Sequence, residues 1–364
     1  MSSRTTYGLA VGHLLAALLS MIGIGQLRPA VAPTPERPMT VRQAAGQHLV
    51  FAYDGLVPPP DLRRRIARGE AAGVILFARN VRSAAQVRAT MRSLQRIRRP
   101  PGFGAPLLVM ADQEGGAVRR IPGAPARAAA DVETASQARF DGRAAARTLR
   151  SAGVNVNLAP VADVARPGAA LEGERRTYGR TAARVTRLAV AFVAGLRDGR
   201  VLAAPKHFPG FGAARVNTDV APARIESSLD TLRSVDELPF TALVADGAPA
   251  LMASTAVYPA LDERPAALSR AWMRDELRRR LGFGGVVVSD DLGTPAVASF
   301  GTNGRRAALA VAAGIDIPLF AGSYRAGVEA FGGIVAATRS GDLDRGALRA
   351  KARRVLRMRA TLAR

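Results

Sequence analysis

Eight short, almost uninterrupted apolar runs recur along the chain, with longer Arg/Ala-rich stretches of helical character between them. The runs are His48 to Tyr53, Gly73 to Phe77, Pro106 to Ala111, Val154 to Ala159, Val201 to Ala204, Ala250 to Ala253, Gly285 to Ser289 and Ile315 to Phe320. Most carry apolar residues at successive positions instead of alternating with polar ones, as expected of parallel strands covered on both faces. The stretches between them, such as Ala84 to Arg99 and Ala182 to Arg197, are long enough for crossover helices. Eight βα units without a break in composition predict a closed (β/α)8 barrel, a TIM-type α/β fold in a single domain. A doubly wound sheet is the alternative, but it would carry a Gly-rich nucleotide turn after an early strand. Gly210-Phe211-Gly212 offers only a fragment of one.

The N-terminus departs from this alternation. Arg4 precedes an apolar run from Leu9 to Gly25, interrupted only by His13 and Ser20. Its seventeen residues fall between a signal-peptide core and a minimal membrane span. Residues 1–32 are therefore read as a signal peptide or membrane anchor, with Ala30-Val31-Ala32 resembling a small-x-small cleavage site. A Pro-rich linker follows over 33–40, and the barrel occupies 41–364. This organisation predicts an exported protein that meets a membrane only through its N-terminal segment.

Composition narrows the chemistry. Among 364 residues, 48% are hydrophobic and 22% charged, a globular balance. The absence of cysteine excludes disulfide frameworks, thiolate nucleophiles and Cys-based metal sites. Three histidines, His13, His48 and His207, argue against a multi-histidine metal centre, and no cofactor is expected. The formal charge of +23 points first to nucleic acid. Yet only Lys206 and Lys351 are lysines, and the arginines are scattered along helical stretches without aromatic interleaving. Nucleic acid is accordingly not the expected partner; weak attraction to acidic envelope polymers is the milder consequence.

Polar residues collect where three of the apolar runs end: Asp112-Gln113-Glu114-Gly115-Gly116, Lys206-His207-Phe208-Pro209-Gly210 and Ser289-Asp290-Asp291. In a barrel these ends converge on one pocket. Lysine at 206, in a chain that otherwise writes arginine, suits a site needing a compact charge. Simpler readings exist for single members: Asp291 as a helix N-cap, His207 as a satisfied core histidine, and Arg120 and Arg176 as structural partners of Asp112 and Glu114.

Taken in order, these segments resemble the family 3 glycoside hydrolases, and within them the single-barrel β-N-acetylglucosaminidases that act on peptidoglycan fragments. The resemblance runs from Gly46-Gln47 to about Asp316. It rests on Lys206-His207-Phe208-Pro209-Gly210-x-Gly212, Asp112-x-Glu114-Gly115-Gly116-x-Val118-x-Arg120 and Ser289-Asp290-Asp291-Leu292. Asn157-x-Ala159-Pro160-Val161-x-Asp163 and Tyr258-Pro259-x-x-Asp262 extend it. It implies a retaining hydrolase acting on terminal β-linked N-acetylglucosamine or a related β-sugar, with Asp290 as the nucleophile that forms a glycosyl-enzyme. It also implies that Asp112, Arg120, Arg176, Lys206 and His207 hold the hydroxyls of the terminal sugar, and that the barrel works as a monomer without metal or cofactor.

One loop departs from the family. Where the related glucosaminidases carry Asp-Ser-His as the acid/base dyad, this chain has Asn217-Thr218-Asp219, and a further family histidine near Ser254 is replaced by Thr255. Three readings follow. Asp219 is itself the general acid; or the barrel is a non-catalytic binder of amino sugar or muropeptide; or the acceptor is phosphate in place of water. Retention of Asp290 with the complete sugar-binding set favours the first.

Overall fold

The computed structural model describes residues 39–363. The expected signal or anchor segment and nearly all of the linker lie outside the described residues. The linker's last residue, Thr40, caps the first helix, Val41–Gln47, in a reciprocal arrangement with Gln43.

Eight parallel strands follow in chain order. They are β1 (Val50–Phe51), β2 (Gly73–Ile75), β3 (Leu108–Ala111), β4 (Val156–Asn157), β5 (Leu202–Ala203 continuing as Lys206–Phe208), β6 (Ala250–Ala253), β7 (Val286–Asp291) and β8 (Ile317–Leu319). Strands β1 to β4 and β8 are shorter than their apolar runs, which also include residues leading into and out of the ladder; β6 coincides with its run, and β5 and β7 extend past theirs to Phe208 and Asp291. Strands β1 to β4 and the first segment of β5 pair consecutively; the second segment of β5 pairs with β6, and β6, β7 and β8 follow in order. Strand β5 thus moves its main ladder from β4 to β6 around Ala204-Pro205, where proline has no N–H to give, while Lys206 still bridges Val161 beyond β4. A parallel bridge between Phe51 and Phe320 closes the ring between β8 and β1. The fold is the expected eight-stranded barrel.

Two apolar clusters explain the continuous hydrophobicity of the runs. Leu108, Met110, Val286 and Val288 belong to the interior, with Val156, Ala204, Met252 and Leu319. Their chain neighbours Leu107, Val109, Ala111 and Val287 belong to the layer beneath the helices. One strand parity fills the barrel and the other packs outward. Helix α1 (Ala135–Ser151), after β3, and helix α2 (Ala182–Asp198), after β4, touch through glycines. A Cβ on Gly142 would stand 2.2 Å from the Phe192 carbonyl oxygen, and one on Gly195 would stand 2.2 Å from that of Arg139.

At the N-terminal mouth, buried Asp316 takes hydrogen bonds from Arg278 at 2.7 Å, Arg354 at 2.6 Å and the Val287 N–H at 2.8 Å. Its carbonyl oxygen lies 2.6 Å from Nδ1 of His48, which caps the first helix and precedes β1. No described helix is long and apolar enough to cross a membrane.

Candidate active site

Strand parity also builds the site. Continuing the inward series by one step at each strand end leads from Ile75 to Phe77, from Met110 to Asp112, from Ala204 to Lys206 and from Val288 to Asp290. All four line one cavity of about 450 Å³ at the C-terminal mouth, floored by Leu158, Met252 and Leu319. Arg120, Arg176, His207 and Asp219 complete its wall, so all seven residues expected from the sequence meet there. A larger hollow, about 740 Å³, opens at the other mouth, lined by Arg150, Arg197, Arg200 and apolar groups. Among the described residues its lining has no carboxylate and no imidazole, whereas the smaller cavity has both.

The basic groups of the cavity are not free. Lys206 Nζ lies 2.7 Å from both Asp112 Oδ1 and Glu114 Oε1. Arg176 grips Glu114 through two bonds of 2.9 Å and donates a third, also 2.9 Å, to Glu174. Arg120 follows a short hairpin, Gln113–Gly115 with Val118–Arg119, that returns the chain over Asp112. Its Nε stands 3.4 Å from Asp112 Oδ2. Burial alone would push Glu114 up, but Lys206 and Arg176 outweigh it and hold the carboxyl at about 2. Asp112 is likewise held below its ordinary range, against burial, by Lys206 and Arg120. For Lys206 burial favours the neutral amine, and the carboxylates of Asp112 and Glu114 reverse that. The structural pairing of these arginines therefore exists. It also leaves a charged lattice fixed in the pocket wall, aimed at the space a polyol would occupy.

The acids opposite have different surroundings. Asp290 accepts the backbone N–H of Asp291 at 2.9 Å. Asp219 belongs to an exposed turn, but its carboxyl faces the cavity. Desolvation there, followed by the charge of Asp290, raises its proton affinity above that of an ordinary carboxyl. Asp291 rises to about 6 through burial and the nearby Asp290 and Asp219, against the backbone N–H groups of Gly293 and Ala321 that it accepts at 2.7 and 3.1 Å. The helix N-cap hydrogen bond expected of Asp291 is made instead by Thr302, which accepts the Arg305 N–H; Asp291 ties the end of β7 to the loop after β8.

The loop carrying Asp219 is anchored to the segment after β4. Arg166 N–H donates to Gly212 O at 3.0 Å and Ala170 N–H to Ala214 O at 2.9 Å. A Cβ on Gly212 would meet Val164 O at 2.0 Å. Asn217 does not touch the Asp219 carboxyl: its Oδ1 accepts the Asp219 backbone N–H at 3.0 Å and its Nδ2 donates to Glu174 at 3.1 Å. Glu174 also holds Arg176, so the loop is tied to the charged lattice. Thr255, at the position of the second family histidine, is buried on the chain after β6.

Two residues matter more here than the sequence disclosed. Glu114 is the hub joining Lys206 to Arg176. Asp163, fully buried, accepts His207 Nδ1 at 2.7 Å and the backbone N–H groups of His207 and Phe211 at 3.1 and 2.6 Å. Both sit inside the motifs that carry the resemblance, but only contacts 44 to 92 residues away along the chain reveal what they do. Among the described residues no cluster of three or more His, Asp or Glu is placed to hold a metal ion.

Residues 45–358 match the family described as the glycosyl hydrolase family 3 N-terminal domain. The chain belongs to glycosyl hydrolase family 3. It is 39% identical over 340 residues to an uncharacterised secreted glycosyl hydrolase of Arthroderma benhamiae, covering 90% of this chain and 94% of that one. It is 36% identical to a β-hexosaminidase of Alkalilimnicola ehrlichii, over 74% and 79% of the two chains. Among solved structures, a β-N-acetylhexosaminidase of Beutenbergia cavernae superposes with a TM-score of 0.78 at 31% identity, covering 88% and 98%. A family 3 β-N-acetylglucosaminidase of Paenibacillus sp. FPU-7 gives a TM-score of 0.82 at 31% identity; this chain spans 89% of itself and 63% of that longer protein. Membership of family 3 makes the barrel an O-glycosyl hydrolase of β-hexosaminidase type, with a carbohydrate as its substrate.

Proposed function

We propose that this family 3 barrel removes terminal β-linked N-acetylglucosamine, or a closely related β-sugar, from cell-wall-type glycans by a retaining mechanism. Asp290 attacks the anomeric carbon as the glycosidic C–O bond breaks, and the leaving oxygen takes the proton of Asp219. Asp219, now a carboxylate, draws a proton from water, whose oxygen attacks the anomeric carbon and releases Asp290. Asp112, Arg120, Arg176, Lys206 and His207 bind the sugar hydroxyls. A fixed array of charged donors and acceptors discriminates sharply for a ligand that pairs every one of them.

The observation that carries this reading is the asymmetry of the acids lining one cavity. Desolvation and the neighbouring Asp290 raise Asp219, the direction required of a proton donor. One chain supplies every group, so a monomer suffices. Export is supported by the apolar N-terminal run and by the secreted relative.

A second reading has its own observation. The loop has lost the family's Asp-x-His, and Asn217 braces backbone and does not orient the Asp219 carboxyl. On that basis the barrel would bind amino sugar or muropeptide without cleaving it. Turnover of an aryl β-N-acetylglucosaminide by the full chain separates the two, because an activated leaving group needs little protonation. Turnover that collapses in Asp290→Asn supports the hydrolase. Sugar binding without turnover in the parent protein sinks it in favour of the binder.

A further inference from the structure

We propose that Asp163 is a positioning residue: it keeps the proton of His207 on Nδ1, so that Nε2 is the only edge of the ring open to the substrate. This rests on the glycosidase reading above and deepens it.

The contacts leave the ring little freedom. His207 is 6% exposed and Asp163 is fully buried. Asp163 Oδ2 stands 2.7 Å from Nδ1, while its Oδ1 is occupied by the backbone N–H groups of His207 and Phe211. These two N–H groups fix the rotation of the carboxylate, so the oxygen facing the imidazole cannot turn away. An ionised carboxylate only accepts, so the hydrogen of that short contact belongs to Nδ1. The Phe211 ring packs edge-on to the imidazole at 5.7 Å and limits its swing. With Nδ1 committed, the ring presents Nε2 to the cavity it lines.

The groups around the ring give this directionality its use. Asp163 lies behind it, Lys206 precedes it on β5, and Asp219 and Asp290 line the same cavity. Buried Tyr258 lies within electrostatic reach of Asp163 and Asp290. Were the proton free to hop between ring nitrogens, Nε2 would alternate between donor and acceptor towards a sugar hydroxyl. Binding would then be diluted over two states. Lys206 and Arg176 only donate and Asp112 only accepts. His207 is the one member of the set whose hydrogen-bonding sense is not fixed by its own chemistry, and Asp163 fixes it.

The test is nitrogen-15 NMR of the histidine side chains in the full chain, which has only three, with His207→Gln supplying the assignment. In the parent protein Nδ1 should stay protonated across the titration while Nε2 alone gains or loses a proton. Asp163→Asn keeps an oxygen for the two backbone N–H groups but turns an amide donor toward Nδ1. The neutral ring should then carry its proton on Nε2. With an aryl β-N-acetylglucosaminide, KM should rise about tenfold while kcat changes less than about threefold, the loss expected of a binding contact whose sense has been reversed. A parent ring protonated on Nε2 with Nδ1 bare overturns the proposal, as does an unchanged tautomer in Asp163→Asn. If Asp163→Asn does not fold, the parent spectrum decides alone. Failure of the parent to turn over any aryl glycoside would count against the hydrolase reading and leave the tautomer measurement standing.

Discussion

Asp290 and Asp219 line the same cavity with opposite requirements, and substitution separates them. On the proposed mechanism Asp290→Asn should abolish turnover of every substrate, since the glycosyl-enzyme could not form. Asp219→Asn should cost about 10²- to 10⁴-fold on an alkyl glycoside and far less on an activated aryl glycoside, measured as kcat/KM on the pair. Because the raised Asp219 must be protonated to donate, kcat/KM should fall as pH rises through its shifted pKa, and Asp219→Asn should flatten that limb. Two neighbours carry stability effects of opposite sign. Asp291 has a folded value of about 6, above its ordinary 3.8. Its contribution is full below 3.8 and lost as pH rises through 6. Asp291→Asn should therefore stabilise the fold at pH 7 by about 2 kcal/mol, read by denaturant titration at pH 4 and 7. Glu114 lies at about 2, below its ordinary 4.5, so its contribution is full above 4.5 and lost as pH falls through 2. Glu114→Gln leaves Lys206 and Arg176 underpaired in a buried site and should cost about 3 kcal/mol.

Each strand announces itself through its apolar run because the barrel buries both of its faces, one inward and one beneath the helices. The same two-residue step that carries Met110 to Asp112 and Val288 to Asp290 makes the pocket readable from strand ends. Other features depend on partners far away in the chain and leave no local trace. The shift of ladder within β5 is one, marked only by the proline that follows its apolar run. The role of Asp163 is another, since an aspartate following Val161-Ala162 does not reveal which imidazole it will meet. The glycine contact between α1 and α2 belongs to the same class. Gly195→Ala places a methyl 2.2 Å from a carbonyl oxygen on α1. It should cost roughly 2 kcal/mol and lower Tm by a few degrees, with the Asp290-dependent chemistry of the folded fraction unchanged.

Across the whole chain the excess of arginine was the most misleading signal, since +23 suggests nucleic acid until its placement is considered. Many of these arginines are engaged with carboxylates: Arg139 and Arg143 with Asp198, Arg233 and Arg280 with Glu276, Arg224 with Glu263. The surplus acts as a diffuse field. The full chain should be retained on an acidic polysaccharide matrix at low ionic strength. It should elute as salt shortens the screening length to about 8 Å near 0.15 M, without preference for any sequence or sugar.

The lattice of Asp112, Glu114, Lys206 and Arg176 draws its members from β3, the loop after β4, and β5, so it also bears on the order of events during synthesis. When Asp112 and Glu114 leave the ribosome, Arg120 follows Asp112 closely, but Arg176 and Lys206 are still 62 to 94 residues from being made. Two carboxylates cannot be withdrawn from water alone at an acceptable cost, so this part of the nascent chain has to stay hydrated until Arg176 and then Lys206 arrive. The N-terminal mouth carries the same requirement, since buried Asp316 precedes its partner Arg354 by 38 residues. Each mouth of the barrel keeps its water until the last cation its buried carboxylates need has been made.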